Sequence, residues 1–439
     1  MNRFTVRLAA YAVAAAMMAM FASCGSEDEP KKEEDKPNPP ETEEPAKPNE
    51  RVDIDLTPAE AQLAKKTAMF SYKVFRAAHE TEKKEYKPQA NIVISPLCDI
   101  MAMEMIANGA EQDTYTQIME ALDMSSENLT AINALNKKLL EQLPTLDNTA
   151  EVRLENAMWM LGSVFDGMND SFAKCINDDY GTPIVRMETF KGHEVEWMIN
   201  DWGREVTEGV IYALLERPFH HEPPLVLSSA SHINGAARHS VADIDSHTDF
   251  INEDGSITEY AANVSFGDFA WYSDSNLDAV RVPMGNEAFS TIFVVPRDGV
   301  SLDACLEKMD YEKIYDLSRG GGVLRKESAV FAPQFSVQYS SDAEKLFNHM
   351  GITKAFDPKT ALFTAINPKG KIYLGAIPQS TKFAYSGYDT EAGSVVFSFF
   401  SSKSSDSEAG YLDVDRSFAF IVAERSTGLP LFMGRVTKL

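Results

Sequence analysis

Cysteine is scarce in this chain: four in 439 residues, too few for a disulfide scaffold to hold the fold. Basic charge is scarce as well. Against 66 aspartates and glutamates stand 41 lysines and arginines, a net charge of −25. Phosphate and sulfate polymers are bound through Lys and Arg, so nucleic acid and glycosaminoglycan are excluded as partners. Hydrophobic residues make up 44% and charged residues 24%, which fits neither wholesale disorder nor a multi-spanning membrane protein. The common enzyme motifs are missing too. There is no H-E-x-x-H, no G-x-S-x-G, no Walker loop and no paired C-x-x-C. Gly320-Gly321-Gly322 lacks a following Lys-Ser/Thr and reads as a turn. His220-His221-Glu222 sits in a Pro-flanked loop, where adjacent side chains are ordinarily solvated rather than metal-bound. His232 and His239 are too far apart for one helical face and read as structural. No cofactor, no metal and no catalytic set is expected.

What is present begins with an export signal. Arg3 and Arg7 form a positive head, and Leu8 to Ser23 is uncharged and mostly apolar, too short and one-sided for a transmembrane helix. Phe21-Ala22-Ser23-Cys24 resembles a bacterial lipobox, in which the cysteine is acylated and becomes the mature amino terminus. Acyl chains on Cys24 would anchor the protein in one membrane leaflet. An ordinary cleaved signal with an incidental cysteine is the alternative. Residues 25–50 carry ten acidic and four basic side chains and six prolines, so they cannot bury enough surface to offset their ordering entropy. Gly25-Ser26-Glu27-Asp28-Glu29 resembles the acidic export signal of surface lipoproteins of Bacteroides-type bacteria. The division expected is a signal peptide at 1–23, a lipid-anchored disordered tether at 24–50 and a folded domain at 51–439, on the outer membrane and exposed at the cell surface.

From residue 51 the composition is that of a folded domain with no second Pro-rich break. Thr57-Pro58-Ala59-Glu60 combines an N-cap, a first-turn proline and an acid three places after the cap, and a helical pattern runs on through Phe75. Asn91 to Ser95 reads as a short buried strand and Leu97 to Leu122 as helical. Residues 225–227, 279–282, 290–295, 329–335 and 418–423 read as strands. Helices early and strands late predict an α+β domain. Of the remaining cysteines, Cys98 reads as a small apolar filler; Cys175 and Cys305 leave an odd thiol open to redox chemistry.

Several segments then resemble one family in order along the chain. Asn91-Ile92-Val93-Ile94-Ser95-Pro96-Leu97 is similar to N-I-F-F-S-P-L, and Ile199-Asn200-Asp201-Trp202 with Thr207-Glu208-Gly209-Val210-Ile211 to I-N-x-W…T-x-G-x-I. Ala332-Pro333-Gln334-Phe335 resembles P-K-F, and the stretch from Leu346 to Phe356 resembles L-x-x-L-G-I-x-x-x-F. Asp415-Arg416-Ser417-Phe418 and Pro430-Leu431-Phe432-Met433-Gly434-Arg435-Val436 match the carboxy-terminal signature, broken at one apolar position by Ala419. The resemblance is to the serpins, the serine protease inhibitors. It implies three β-sheets, eight or nine helices and an exposed reactive-centre loop, and a monomer whose partner is a protease held in a covalent complex.

A loop of that kind is visible without the resemblance. Residues 401–410 are polar, serine-rich and built for exposure. Before them, Thr390-Glu391-Ala392-Gly393-Ser394 matches the family's hinge, which enters the main sheet as a new strand after cleavage. Small uncharged residues insert there at little cost, whereas a buried unpaired charge costs several kcal/mol. Thr390, Ala392 and Ser394 share one face, so Glu391 can stay in solvent. Departures from the family are Gly387 and Asp389 ahead of the hinge, and Ala237 for a tryptophan. In the hydrogen-bonded shutter, Ser229 replaces an asparagine and Cys98 a second serine beside Ser95, while Pro378-Gln379 replaces the partner histidine. The shutter must be rebuilt or weaker. Counting from the hinge places the scissile bond between Lys403 and Ser404; counting back from Phe418 places it nearer Asp406. Lys403 is the only basic residue between Glu391 and Asp415, which points to trypsin-like serine proteases or lysine-selective cysteine proteases. Cleavage at Ser402 or after Phe400 is the alternative, with elastase- or subtilisin-like targets. A non-inhibitory serpin acting as a surface binding protein is the second reading of function.

Overall fold

The computed structural model describes residues 47–85, 90–215, 217, 219, 221–235, 240–241, 247–369, 371–385 and 410–439. In chain order the first half holds α1 (Pro58–Glu85), β1 (Ile92–Ile94), α2 (Pro96–Gly109), α3 (Gln112–Ala121), α4 (Leu129–Gln142), β2 (Ala150–Leu161), α5 (Gly162–Phe165), α6 (Asp170–Tyr180), β3 (Ile184–Met187), α7 (His193–Val206) and β4 (Leu225–Gly235). Strands dominate the second half: β5 (Ser240–Val241), β6 (His247–Ile251), β7 (Ile257–Ser273), β8 (Leu277–Pro283) and β9 (Phe289–Pro296). Two short helices, α8 (Leu302–Lys308) and α9 (Tyr311–Ser318), precede β10 (Val323–Pro333), β11 (Phe335–Asp342) and α10 (Glu344–His349). The chain closes with β12 (Pro378–Tyr385), β13 (Tyr411–Asp413), β14 (Phe418–Glu424) and β15 (Pro430–Val436). The architecture is the α+β one expected, and one-turn pieces such as α5 bring the α-helices to ten among the described residues.

Local chemistry explains the element ends. At α1 the capping box closes both ways: Thr57 N donates to Glu60 Oε2 at 2.8 Å and Glu60 N to Thr57 Oγ1 at 3.3 Å. The helix expected over 97–122 is in fact two. Ala110 and Glu111 are extended, and Glu111 N donates to Leu362 O at 3.0 Å instead of to its own helix. Gly109 ends α2 where a Cβ would come within 2.3 Å of Ile366. The strand expected over 329–335 is likewise divided, because the chain changes sheets at Gln334 between β10 and β11.

One sheet runs β1-β15-β14-β9-β8-β7-β10-β13, with β5 also on β7. The long strand β7 leaves this sheet at its start, where Ile257–Ala261 pairs with β6 as a two-stranded ribbon. The other large sheet has five strands in the order β11-β12-β4-β2-β3. Its inner face packs on α2, a helix buried on nearly all sides, and its outer face carries α7, where Trp202 meets Trp159 edge-on at 6.2 Å. No described helix is long and apolar enough to cross a membrane.

Candidate functional site

Two junctions of the five-stranded sheet are parallel, the edge pair β2–β3 and one in the interior. β11–β12 and β2–β4 are antiparallel, but β12 and β4 lie side by side in parallel. Only five residues pair there, Gln379–Phe383 against Ser229–Ile233, whereas β2 and β4 pair over eleven, Ala150–Met160 against Leu225–Gly235. Parallel pairing is also slightly weaker per residue. Three of the five facing pairs are small or polar, Ser229 and Gln379, Ala230 and Ser380, Ser231 and Thr381, while Lys382 faces His232 and Phe383 faces Ile233 at the upper end. A side-chain bond between Ser231 Oγ and Thr381 Oγ1, at 3.1 Å, crosses the seam. Over Gln379–Thr381 little apolar surface resists opening, and the apolar contact is confined to Phe383 and Ile233 at the upper end.

The seam also points toward the loop. β12 ends at Tyr385 on the same edge of the sheet as the end of β4 at Gly235. A segment continuing from Tyr385 and turning back would run antiparallel to both strands, replacing one weak parallel junction by two antiparallel ones. An aromatic cluster holds this upper end: Phe383 stacks on Phe420 at 4.8 Å, and Phe335 on Tyr385 at 5.9 Å. The chain returns at Gly410, whose N–H donates to Ser328 Oγ at 3.2 Å, and β13 then pairs in parallel with β10. Thr390, Glu391, Ala392, Gly393 and Ser394, the preceding Gly387 and Asp389, and the reactive pair Lys403 and Ser404 lie outside the described residues. So do Phe400, Ser402, Asp406, Cys24, His220, Ala237 and His239.

The shutter positions are described, and they come together. Ser95 caps α2, accepting from Cys98 N at 3.4 Å, with Pro96 in the first turn where a missing N–H costs nothing. That cap sets Cys98 beneath β2, and its Sγ lies 3.6 Å from Asn156 Oδ1 and 3.8 Å from Glu155 O. Ser229 Oγ donates to the same Asn156 oxygen at 2.5 Å. Burial, and then the adjacent Asp99, push the Cys98 thiol far up, so it stays an S–H donor. The network is therefore rebuilt around Asn156, a residue that no motif in the sequence marks. Its one local signal is a lone amide at an inward position of an alternating strand.

Asn156 belongs to a row. Registered across the sheet stand Asn156 on β2, Ser229 on β4, Gln379 on β12 and Ser341 on β11. Gln379 turns from the seam to its other neighbour, its Nε2 donating to Ser341 Oγ at 3.1 Å. Two strands are thus tied on each side of the seam, Asn156 with Ser229 and Gln379 with Ser341. Both ties of this row run alongside the seam rather than across it.

The remaining candidate residues fall into structural places. His232 is buried, and burial lowers its pKa. Burial pushes the Cys175 thiol up to about 11 and the Cys305 thiol up to about 12, leaving neither a ready nucleophile. Glu222 accepts from Thr189 Oγ1, and no metal-holding cluster occurs among the described residues.

A family model described as Serpin (serine protease inhibitor) matches residues 65–439. Plasminogen activator inhibitor 1 of Sus scrofa is 24% identical over 377 residues, covering 84% of this chain and 90% of that protein. Human neuroserpin is 22% identical over 356 residues, covering 79% and 85%. Among solved structures, the native state of the thermophilic serpin tengpin aligns with a TM-score of 0.72 at 21% identity, covering 90% of this chain and 98% of that one.

Proposed function

The chain belongs to the serpin family, the serine protease inhibitors, and on that premise we propose that it traps proteases as a suicide substrate. The family is described by protease inhibition rather than by catalysis. The observation that supports trapping here is the sparsely held parallel seam between β12 and β4, adjoining the strand end from which the loop departs. In the proposed sequence the protease nucleophile attacks the Lys403 carbonyl carbon and the Lys403–Ser404 bond breaks. The Ser404 amine leaves with a proton from the protease's general acid, and Lys403 remains as an acyl-enzyme. The freed hinge, Thr390 to Ser394, enters the seam and carries the acylated protease away before water completes hydrolysis.

Incubation with trypsin, a lysine-selective cysteine protease and subtilisin tests this directly. An SDS-stable adduct is expected with the first two, together with a released peptide beginning at Ser404 by mass spectrometry. A peptide with any other start removes the Lys403 assignment. Cleavage without an adduct from any protease removes the trapping mechanism and favours the second reading, a non-inhibitory surface binding protein, which the charge of Asp389 at the insertion point supports. We further propose that the inhibitor is monomeric and held on the outer membrane by acylated Cys24, exposed to the outside. Palmitate incorporation that is lost in Cys24→Ala, with the chain accessible to protease added to intact cells, is the expected outcome.

A further inference from the structure

Far more acid than base covers this chain, yet four arginines gather at one place. A cleft of about 350 Å³ opens between the end of α9, the β14–β15 turn and the amino-terminal segment before α1. Arg51, Arg319 and Arg425 line it, with Tyr315 as part of the wall. Arg281 is set close behind: it is 5% exposed, and its Nε finds no hydrogen-bond partner. The bond from its Nη2 to Glu287 O is long, at 3.4 Å. Burial, followed by the nearby Arg425 charge, lowers the Arg281 pKa to about 10, and Arg51 acts in the same direction.

The described carboxylates nearby leave one lining arginine without an ion pair. Asp53 pairs with Arg51 at 3.1 Å, and Glu287 with Arg425 at 2.7 Å. Asp316 lies over Gly321, whose Cβ, if it had one, would meet the carboxylate at 2.3 Å. Arg319 has a cation–π contact with the Tyr315 ring at 5.9 Å and no carboxylate partner among the described residues. Three guanidinium groups and two carboxylates, Asp53 and Asp316, thus line the cleft, with Arg281, Glu287 and Glu424 behind them, in a chain where acids outnumber bases 66 to 41.

The glycine run Gly320-Gly321-Gly322 belongs to this cleft. Gly320 has φ +87°, and a Cβ there would stand 3.2 Å from the Arg425 guanidinium. Across the cleft, a Cβ at Gly428 (φ +74°) would press on Tyr315 at 2.6 Å and Arg319 at 2.9 Å. Glycine at 320 leaves the Arg425 guanidinium uncovered, and glycine at 428 leaves room for the Tyr315 ring and the stem of Arg319. Planar guanidinium groups match carboxylate and phosphate oxygens two at a time, and weak hydration lets them do so in a partly closed site.

We propose that this arginine cleft binds a small molecule carrying two or more oxyanion groups, a polycarboxylate or a phosphate compound. The site stands apart from the β4–β12 seam and does not depend on protease trapping. Calorimetric titration of the full chain with citrate and with pyrophosphate at low ionic strength tests it. One-site binding of at least one of the two is expected, weakened roughly tenfold or more in Arg319→Gln and in Arg425→Gln. Arg297→Gln, whose arginine pairs with Asp278 at 3.0 Å elsewhere on the surface, should bind as the parent does. The Arg319 guanidinium rests on the Tyr315 ring rather than in an ion pair, so its removal should leave the melting temperature unchanged and keep the comparison clean. Absence of binding by both anions, parental affinity in Arg319→Gln, or an equal loss in Arg297→Gln would each overturn the proposal.

Discussion

A single amide, Asn156, accepts from both Ser229 and Cys98 where strand β2 meets helix α2. Asn156→Ala leaves both donors buried without that acceptor, and a loss of about 1–3 kcal/mol is expected in urea unfolding. Ser229→Ala should cost less, because Cys98 keeps its partner. His79 makes a second residue-level case. Its Nε2 lies 2.9 Å from Asp303 and its Nδ1 2.6 Å from Arg435, so the neutral ring donates to the carboxylate and accepts from the guanidinium. Burial, then the Arg435 charge, lower its pKa, with Asp303 pulling the other way. The unfolded chain therefore binds the proton more readily. The stability this gives is full above the unfolded value, about 6.5, and is lost as pH falls through it toward the folded value. The melting temperature should fall between pH 7.5 and 5.5, and less steeply in His79→Gln. At the hinge, Thr390→Arg or Ala392→Arg should turn inhibitor into substrate: the loop is cut, but a buried charge blocks insertion. Unchanged stoichiometry of inhibition in both variants would sink insertion as the mechanism.

At the scale of elements, the five-stranded sheet divides into two well-held parts and a seam. β2 with β4, and β11 with β12, are antiparallel ladders of eleven and eight registered pairs; β12 with β4 has five. Between the β2–β4 and β12–β4 ladders, local opening favours the junction with the fewer bonds. Within Ser229–Ile233, amides directed at β12 should therefore exchange with deuterium faster than those directed at β2. Equal protection would mean that the seam is no weaker than its flanks. Helix α1 was legible from its cap, since both halves of the capping box lie within four residues. The break between α2 and α3 was not, because the groups that end the helix, Leu362 and Ile366, are some 250 residues away in sequence.

For the whole molecule, a five-stranded sheet with a parallel junction is one strand short of an alternating antiparallel arrangement around the seam. If the loop supplies that strand, the native chain is held kinetically above a more stable form. Cleavage between Phe400 and Ser405 should then raise the melting temperature by tens of degrees, as two antiparallel ladders replace the seam. Identical melting curves for intact and cut protein would support the non-inhibitory reading instead.

Sequence alone determined what local chemistry and ordered motifs can carry. The α1 cap is local, and the short apolar run of residues 418–423 marks a buried strand by itself. The collinear segments from Asn91 to Val436 pointed to the family and hence to the sheet count. Only the tertiary structure decided the rest. Asn156 takes its role from two donors, one 58 residues before it and one 73 after it. Gln379 completes a polar row only because β12 lies beside β4 in that register. The arginine cleft joins residues 51, 281, 319 and 425, and no local pattern brings those together. Each depends on long-range pairing, and in a chain whose large sheets are assembled from distant strands the neighbours of a side chain are set by register rather than by sequence distance.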